Sequence, residues 1–227
     1  CSPDFGFSGV MDRFSQINPK LLISVDGYSY NGKKISKIET IIDLEKNLPT
    51  LENILIAGYL EKNLPTLENI LIAGYLEKKP DISYISKSSV FEETFKSHPI
   101  KKFTRIAFND PLYIMYSSGT TGRPKCILHS VGGTLIQHIK EHKIHCNIFN
   151  NDVMFFFTTC GWMMWNWLVT GLASKASIML YEGNPFFPSI DRLWKIIERE
   201  NVKLFGASAK YFDALKKSKF IPRNISQ

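Results

Sequence analysis

Apolar and polar positions along the 227 residues alternate in short blocks that predict helix and strand in turn. Phe7 to Ile17 and Lys34 to Glu45 carry helical spacing, and Leu21–Val25 and Asn53–Tyr59 are short apolar runs of strand-forming types. The alternation resumes with a strand at Leu112–Tyr116, a helix over Gly133–His145, and strands at Val153–Thr158 and Ser177–Tyr181. The clearest helix follows: Ile190, Leu193, Trp194 and Ile197 fall at i, i+3, i+4 and i+7, with Ser189 placed as its cap after Pro188. A strand at Lys203–Phe205 completes another βα unit. The pattern predicts an α/β fold, a parallel sheet with helices on both faces. Ser83 to Phe108 mixes Ser, Lys, Glu and Pro without a sustained period and reads as a surface connector.

Val153 to Ser174 holds no charged residue over 22 positions and includes Trp162, Trp165 and Trp167. A membrane-crossing helix and a buried strand, turn and helix both satisfy that apolarity. The run Phe155-Phe156-Phe157-Thr158-Thr159 and the break at Thr159-Cys160-Gly161 favour the second.

One stretch stands outside this plan. Glu45 to Leu60 recurs unchanged as Glu61 to Leu76, a tandem copy of sixteen residues. Solenoid repeats diverge and come in three or more copies, so the copy reads as a recent tandem duplication or a gene-model error and not as a repeat architecture. Each copy holds one Asn-Ile-Leu-Ile-Ala-Gly-Tyr strand. The extra copy is expected to bulge out or disturb the sheet edge, where it would pair with other chains.

Composition adds little beyond a globular chain: 44% hydrophobic and 22% charged residues. The net charge of +7 raises nucleic acid as a partner, but the basic residues are spread along the chain without an aromatic-interleaved block, so no nucleic-acid binding is expected. Cys1, Cys126, Cys146 and Cys160 form no C-x-x-C pair, which suits a reducing compartment, the cytosol. The chain opens on Cys1 and reads as an internal piece of a longer protein.

The densest chemistry lies at 117–125. Ser117, Ser118, Thr120 and Thr121 supply hydroxyls, Gly119 and Gly122 allow close backbone approach, and Lys125 adds a point charge, all directly after an apolar strand. Ligands of open α/β sheets sit at such strand ends, so the stretch reads as a polyphosphate cradle. An ordinary polar turn has the same composition. Two residues separate the glycines, which fits neither a Walker A loop nor G-x-G-x-x-G.

Ser117 to Lys125 resembles the signature loop of the adenylate-forming superfamily, to which acyl-CoA synthetases belong. Ile127 to His138, Gly161 to Trp167, Asp4-Phe5-Gly6 and Asp12 to Gln16 are similar to the branch that activates acetoacetate. The resemblance implies part of the large N-terminal domain of the adenylate-forming fold, with parallel sheets flanked by helices. Residues 1–110 would be a partial subdomain with the duplication and connector, and 111–227 an incomplete phosphate and acyl subdomain.

It also implies a ligase that uses ATP with Mg²⁺ and coenzyme A. The carboxylate of acetoacetate would attack the α-phosphate to give an acyl-adenylate, and the thiol would displace AMP. Another short or medium carboxylate, or a noncatalytic nucleotide-binding remnant, are the alternatives. Trp162, Met163 and Met164 would line the acyl and coenzyme A pocket, although large apolar residues also serve as plain core. Ala207, Ser208 and Ala209 would lie near the adenylate. The adenine and ribose contacts and the lysine of a C-terminal domain are not among these residues, so no catalytic residue is assigned.

His138, His142 and His145 share a helical face beside Cys146, which invites zinc. The order is not H-E-x-x-H, and no metal is expected. His129 is placed either to touch nucleotide or to end a strand.

Overall fold

The computed structural model describes residues 1–25, 27–30, 33–57, 70–73, 88–90, 101–117 and 122–222. They divide into two compact units, one of 3–105 with 116–127, the other of 1–2, 106–115 and the remainder from 128.

The first unit opens with α1 (Phe7–Phe14), whose Val10 is buried against Phe5, Met11 and Phe14. Strand β1 (Leu21–Val25) follows, then an antiparallel hairpin of β2 (Gly27–Tyr30) and β3 (Lys33–Ser36). That hairpin replaces the start of the helix expected at Lys34. Helix α2 runs only over Ile38–Asn47, because Ile38, Ile41 and Leu44 are the residues that reach the core, together with Leu22, Leu48 and Ile54. Burying each such side chain contributes roughly 1.5–3 kcal/mol.

Strands β4 (Asn53–Ala57), β5 (Ile70–Ala73) and β6 (Ser88–Val90) extend β1 into a four-stranded parallel sheet, ordered β1-β4-β5-β6. The duplicated strand therefore does not bulge out. β4 and β5 lie side by side in the register Ile54↔Ile70, Leu55↔Leu71, Ile56↔Ile72 and Ala57↔Ala73, each residue opposite its own copy. A backbone ladder accepts any strand of matching length, so the copy becomes an interior strand instead of an unpaired edge. β6 also lies within the stretch expected to be a connector.

This arrangement carries a prediction. Removing 61–76 leaves one strand, β4, of the duplicated sequence, and residues 58–60 joined to 77–87, now its link to β6, span fourteen positions, enough for a parallel crossover of a dozen or more. The shortened chain is expected to keep its circular dichroism spectrum, with a melting midpoint within about 4 °C of the parent. Loss of secondary structure on excision would show that both copies are required.

Strands β7 (Pro111–Tyr116) and β8 (Cys126–Ser130) form a two-stranded sheet. In the second unit, β9 (Val153–Phe156) is the centre of a parallel sheet ordered β10-β9-β11, with β10 at Ser177–Met179 and β11 at Val202–Gly206.

Period-two alternation along β9 builds a core on each face. Met154 packs with Ile148, Trp167, Leu168 and Ala176, whereas Phe155 packs with Leu193, Ile197, Tyr211 and Leu215. The first face is covered by α3 (Val131–Lys140), a π turn at Glu141–His145, α4 (Met163–Thr170) and a 3₁₀ turn at Gly171–Ser174. The second face is covered by α5 (Arg192–Arg199) and α6 (Ala209–Lys217).

The uncharged run is thus β9, a turn, α4 and a 3₁₀ turn. Among the described residues no helix is long and apolar enough to cross a membrane. Helix α5 starts later than expected, because the Ser189 hydroxyl donates to Asp191 at 2.6 Å and does not cap the first turn, which begins after Asp191.

Candidate functional site

The apolar strand β7 brings the chain to Ser117, and β8 carries it away from Lys125. Between them, Ser118, Gly119, Thr120 and Thr121 lie outside the described residues. The neck of the loop is closed by two bonds between the same residues. Ser117 N–H donates to the Lys125 carbonyl at 3.0 Å, and Lys125 N–H donates to the Ser117 hydroxyl oxygen at 3.3 Å.

The Ser117 hydroxyl proton stays free to donate elsewhere. Among the described residues Lys125 makes no ion pair, so its ammonium is available to an anion. Gly122 has φ of +101°, a conformation that L side chains adopt only with strain, and a Cβ there would meet nothing within 4 Å. Glycine is therefore required by the turn and not by crowding.

Residues of α1 and its exit reach this hairpin. Tyr116 donates its hydroxyl to the Arg13 carbonyl at 3.1 Å, and the Arg13 guanidinium lies over the Tyr116 ring, 5.8 Å from its centroid. Burial, with Cys126 beside it, pushes the Tyr116 hydroxyl up to about 12, so the phenol stays neutral and remains a donor. Gln16 Nε2 donates to the Pro124 carbonyl at 2.9 Å, and Cys126 Sγ approaches Gln16 Oε1 at 3.5 Å. Arg123 and Asp12 face each other at 3.9 Å as an exposed pair, worth at most about 1 kcal/mol. None of these supports was visible in the sequence as part of the loop.

The acyl candidates sit in the second unit. The Thr159-Cys160-Gly161 turn is closed by Trp162 N–H donating to the Thr159 carbonyl at 3.2 Å, and α4 begins one residue later. Trp162 is 44% exposed, its ring edge-on to Phe156 at 5.7 Å, and Met163 is 45% exposed. Both present free apolar surface. Met164 instead packs against the core around Met154 and Trp167. Ser208 caps α6 by accepting the Tyr211 N–H at 3.3 Å, Ala207 packs against the second-face core, and Ala209 opens the helix.

His129 sits on β8 with its ring 5.2 Å from that of Tyr113. Of the three histidines weighed as a zinc face, His145 is exposed and the other two face protein partners. His138 Nδ1 lies 3.0 Å from the Thr170 hydroxyl, and His142 Nδ1 lies 3.5 Å from the Ser174 hydroxyl, with its ring edge-on to Trp167 at 4.5 Å.

The family model of AMP-binding enzymes matches residues 14–226, and the chain belongs to that family. Its sheets and flanking helices are part of the large N-terminal domain of the adenylate-forming fold. Among its relatives, acetoacetyl-CoA synthetase of Gallus gallus is 45% identical over 227 residues, covering 97% of this chain and 32% of the relative. Acetoacetyl-coenzyme A synthetase of Rhizobium meliloti (strain 1021) is also 45% identical, over 224 residues, covering 98% of this chain and 32% of that relative.

Among solved structures, acetoacetyl-CoA synthetase from Streptomyces lividans superposes with a TM-score of 0.82 at 37% identity, covering 99% of this chain and 32% of that one. The chain spans about a third of the length of the relatives it matches.

Proposed function

We propose that these residues belong to an acetoacetate–CoA ligase and supply its ATP-phosphate loop and part of its acyl pocket. The observation that carries the reading is the closed neck at Ser117 and Lys125 at the end of an apolar strand, with a Lys125 ammonium that makes no ion pair among the described residues, in a chain 45% identical to an acetoacetyl-CoA synthetase.

A carboxylate is a weak electrophile at its carbonyl. Attack on the α-phosphate of MgATP expels pyrophosphate and gives acetoacetyl-adenylate; the coenzyme A thiol then displaces AMP. Negative charge grows on the departing phosphates. The neck fixes the backbone of Ser117 and Lys125, from which the Ser117 hydroxyl and the Lys125 ammonium would meet that charge with little backbone reorganisation as it forms. Trp162 and Met163 offer an apolar wall suited to a small keto acid. Four unpaired cysteines suit a cytosolic setting.

By itself the 227-residue chain is proposed to hold nucleotide phosphate without completing the reaction. The test is acetoacetate-dependent ATP–pyrophosphate exchange by the full-length gene product, with acetate and butyrate as competing acids. Lys125→Ala is expected to slow exchange ten- to hundredfold, the range for losing a hydrogen bond to a charged group, and to leave the melting midpoint unchanged. Faster exchange with butyrate than with acetoacetate would reassign the acid. Nucleotide-dependent thermal stabilisation without exchange would mark a noncatalytic remnant.

A further inference from the structure

We infer that Gln16 is a positioning residue that fixes the backbone on both sides of Lys125, an inference that rests on the phosphate-loop reading above. Its carboxamide has one donor end and one acceptor end, and both are engaged. Nε2 donates to the Asp12 carbonyl at 2.5 Å and to the Pro124 carbonyl at 2.9 Å, while Oε1 accepts from Cys126 Sγ at 3.5 Å.

Two carbonyl oxygens demand a donor, and a thiol facing the other end suits an acceptor, so the chemistry of the partners fixes the orientation of the amide. Pro124 and Cys126 are the two neighbours of Lys125 in the chain. Lys125 itself is tied through both its N–H and its carbonyl to Ser117. Among the described residues its side chain makes no ion pair, so the held part of the residue is its backbone.

The tether is anchored on a folded element. Asp12 and Arg13 lie in α1, and Gln16 follows it closely, its N–H bonded to the Arg13 carbonyl at 3.1 Å. Proline at 124 cannot donate a backbone hydrogen bond, so its carbonyl is its one polar backbone handle. Gln16 takes that handle across 108 positions of sequence. Tyr116 on the opposite strand is held by the Arg13 carbonyl, so both arms of the hairpin hang from the same end of α1. An ammonium on a four-carbon stem samples a wide volume when its backbone moves, and pinning that backbone narrows where it meets a phosphate.

The discriminating variant is Gln16→Glu, which keeps length and the acceptor toward Cys126 but sets a carboxylate oxygen against two carbonyl oxygens. Gln16→Met, which keeps length without either polar end, is the second. Trypsin cuts after lysine but not between Arg123 and Pro124, so the Lys125–Cys126 bond reports on the hairpin alone. In the 227-residue chain, Gln16→Glu is expected to speed cleavage at that bond three- to tenfold over Lys216–Lys217 in α6, with an unchanged melting midpoint. Gln16→Met is expected to act in the same direction and less strongly.

In the full-length gene product the KM for MgATP should rise three- to tenfold, with the KM for the acid unmoved, a split that general destabilisation does not produce. Unchanged cleavage at Lys125–Cys126 in both variants would overturn the role of Gln16. Faster cleavage in a chain and gene product that bind no MgATP would instead leave the tether standing and remove the phosphate reading beneath it.

Discussion

Phe155→Ala is expected to lower stability by about 3–5 kcal/mol, the cost of an aromatic removed from a core that refills only in part. Phe155 has no exposed surface and sits on β9, the central strand of its sheet. Its ring lies 5.3 Å from that of Phe205 and 6.4 Å from that of Tyr181, and Leu193, Ile197, Tyr211 and Leu215 close around it. Every element covering that face meets at this side chain, so no single neighbour can move in without leaving a partner behind.

Against a total of about 5–15 kcal/mol for a domain, this is a large share. Phe103, 85% exposed, removes the same atoms when changed to alanine and should cost less than about 0.5 kcal/mol. Urea titrations of both variants provide the comparison. A loss below about 1 kcal/mol for Phe155→Ala would mean that the second-face core is not packed as described.

Three strands were legible because each is a run of apolar, strand-forming residues, whatever its burial: Leu21–Val25 appears as expected, the strand expected at Leu112–Tyr116 starts one residue earlier, and the one expected at Val153–Thr158 ends at Phe156. What stayed hidden lacked such a run. β2 and β3 hold Tyr, Ser and Lys and form a hairpin whose register comes from pairing, not from a buried face. Helix α6 buries only Tyr211 and Leu215, one i, i+4 step, too little to separate it from the strand before it. Helix α3 was expected to run unbroken to His145, but it widens into a π turn that brings His142 fully into the core.

The same division holds for the candidate site. Hydroxyls, glycines and a lysine within nine residues are what raised the anion expectation, because that chemistry is local. The bonds from Gln16 and Arg13 join residues more than a hundred positions apart and have no local signature. Trp162 and Met164 were indistinguishable as apolar letters two apart. Only the turn at Gly161 decides that the first faces outward and the second inward.

The buried histidines make the fold acid-sensitive. Burial holds the His142 imidazole below its ordinary 6.5, aided by neighbouring His138, while Glu141 pulls upward and Lys143 downward. Burial likewise lowers His138, reinforced by His129 and opposed by Glu141. Both rings are therefore neutral in the folded chain at a pH where the unfolded chain already binds protons. Stability is fully present above about pH 6.5 and falls as pH drops toward the depressed folded values.

The slope in that window reaches about 1.4 kcal/mol per pH unit for each histidine, about 3 kcal/mol for the pair. Other shifted carboxyls do not mimic it. Asp152 and Asp191 are held below 3.8 and act at lower pH, and Glu182, raised by burial, acts with the opposite sign. Denaturant titrations at pH 7.5, 6.5 and 5.5 should show the loss confined to the lower interval. His142→Leu, whatever its effect at pH 7.5, should reduce the slope by about half, since one of two titrating rings is gone. Equal slopes in parent and variant would show that His142 takes no part, and the assignment of acid sensitivity to this core would fall.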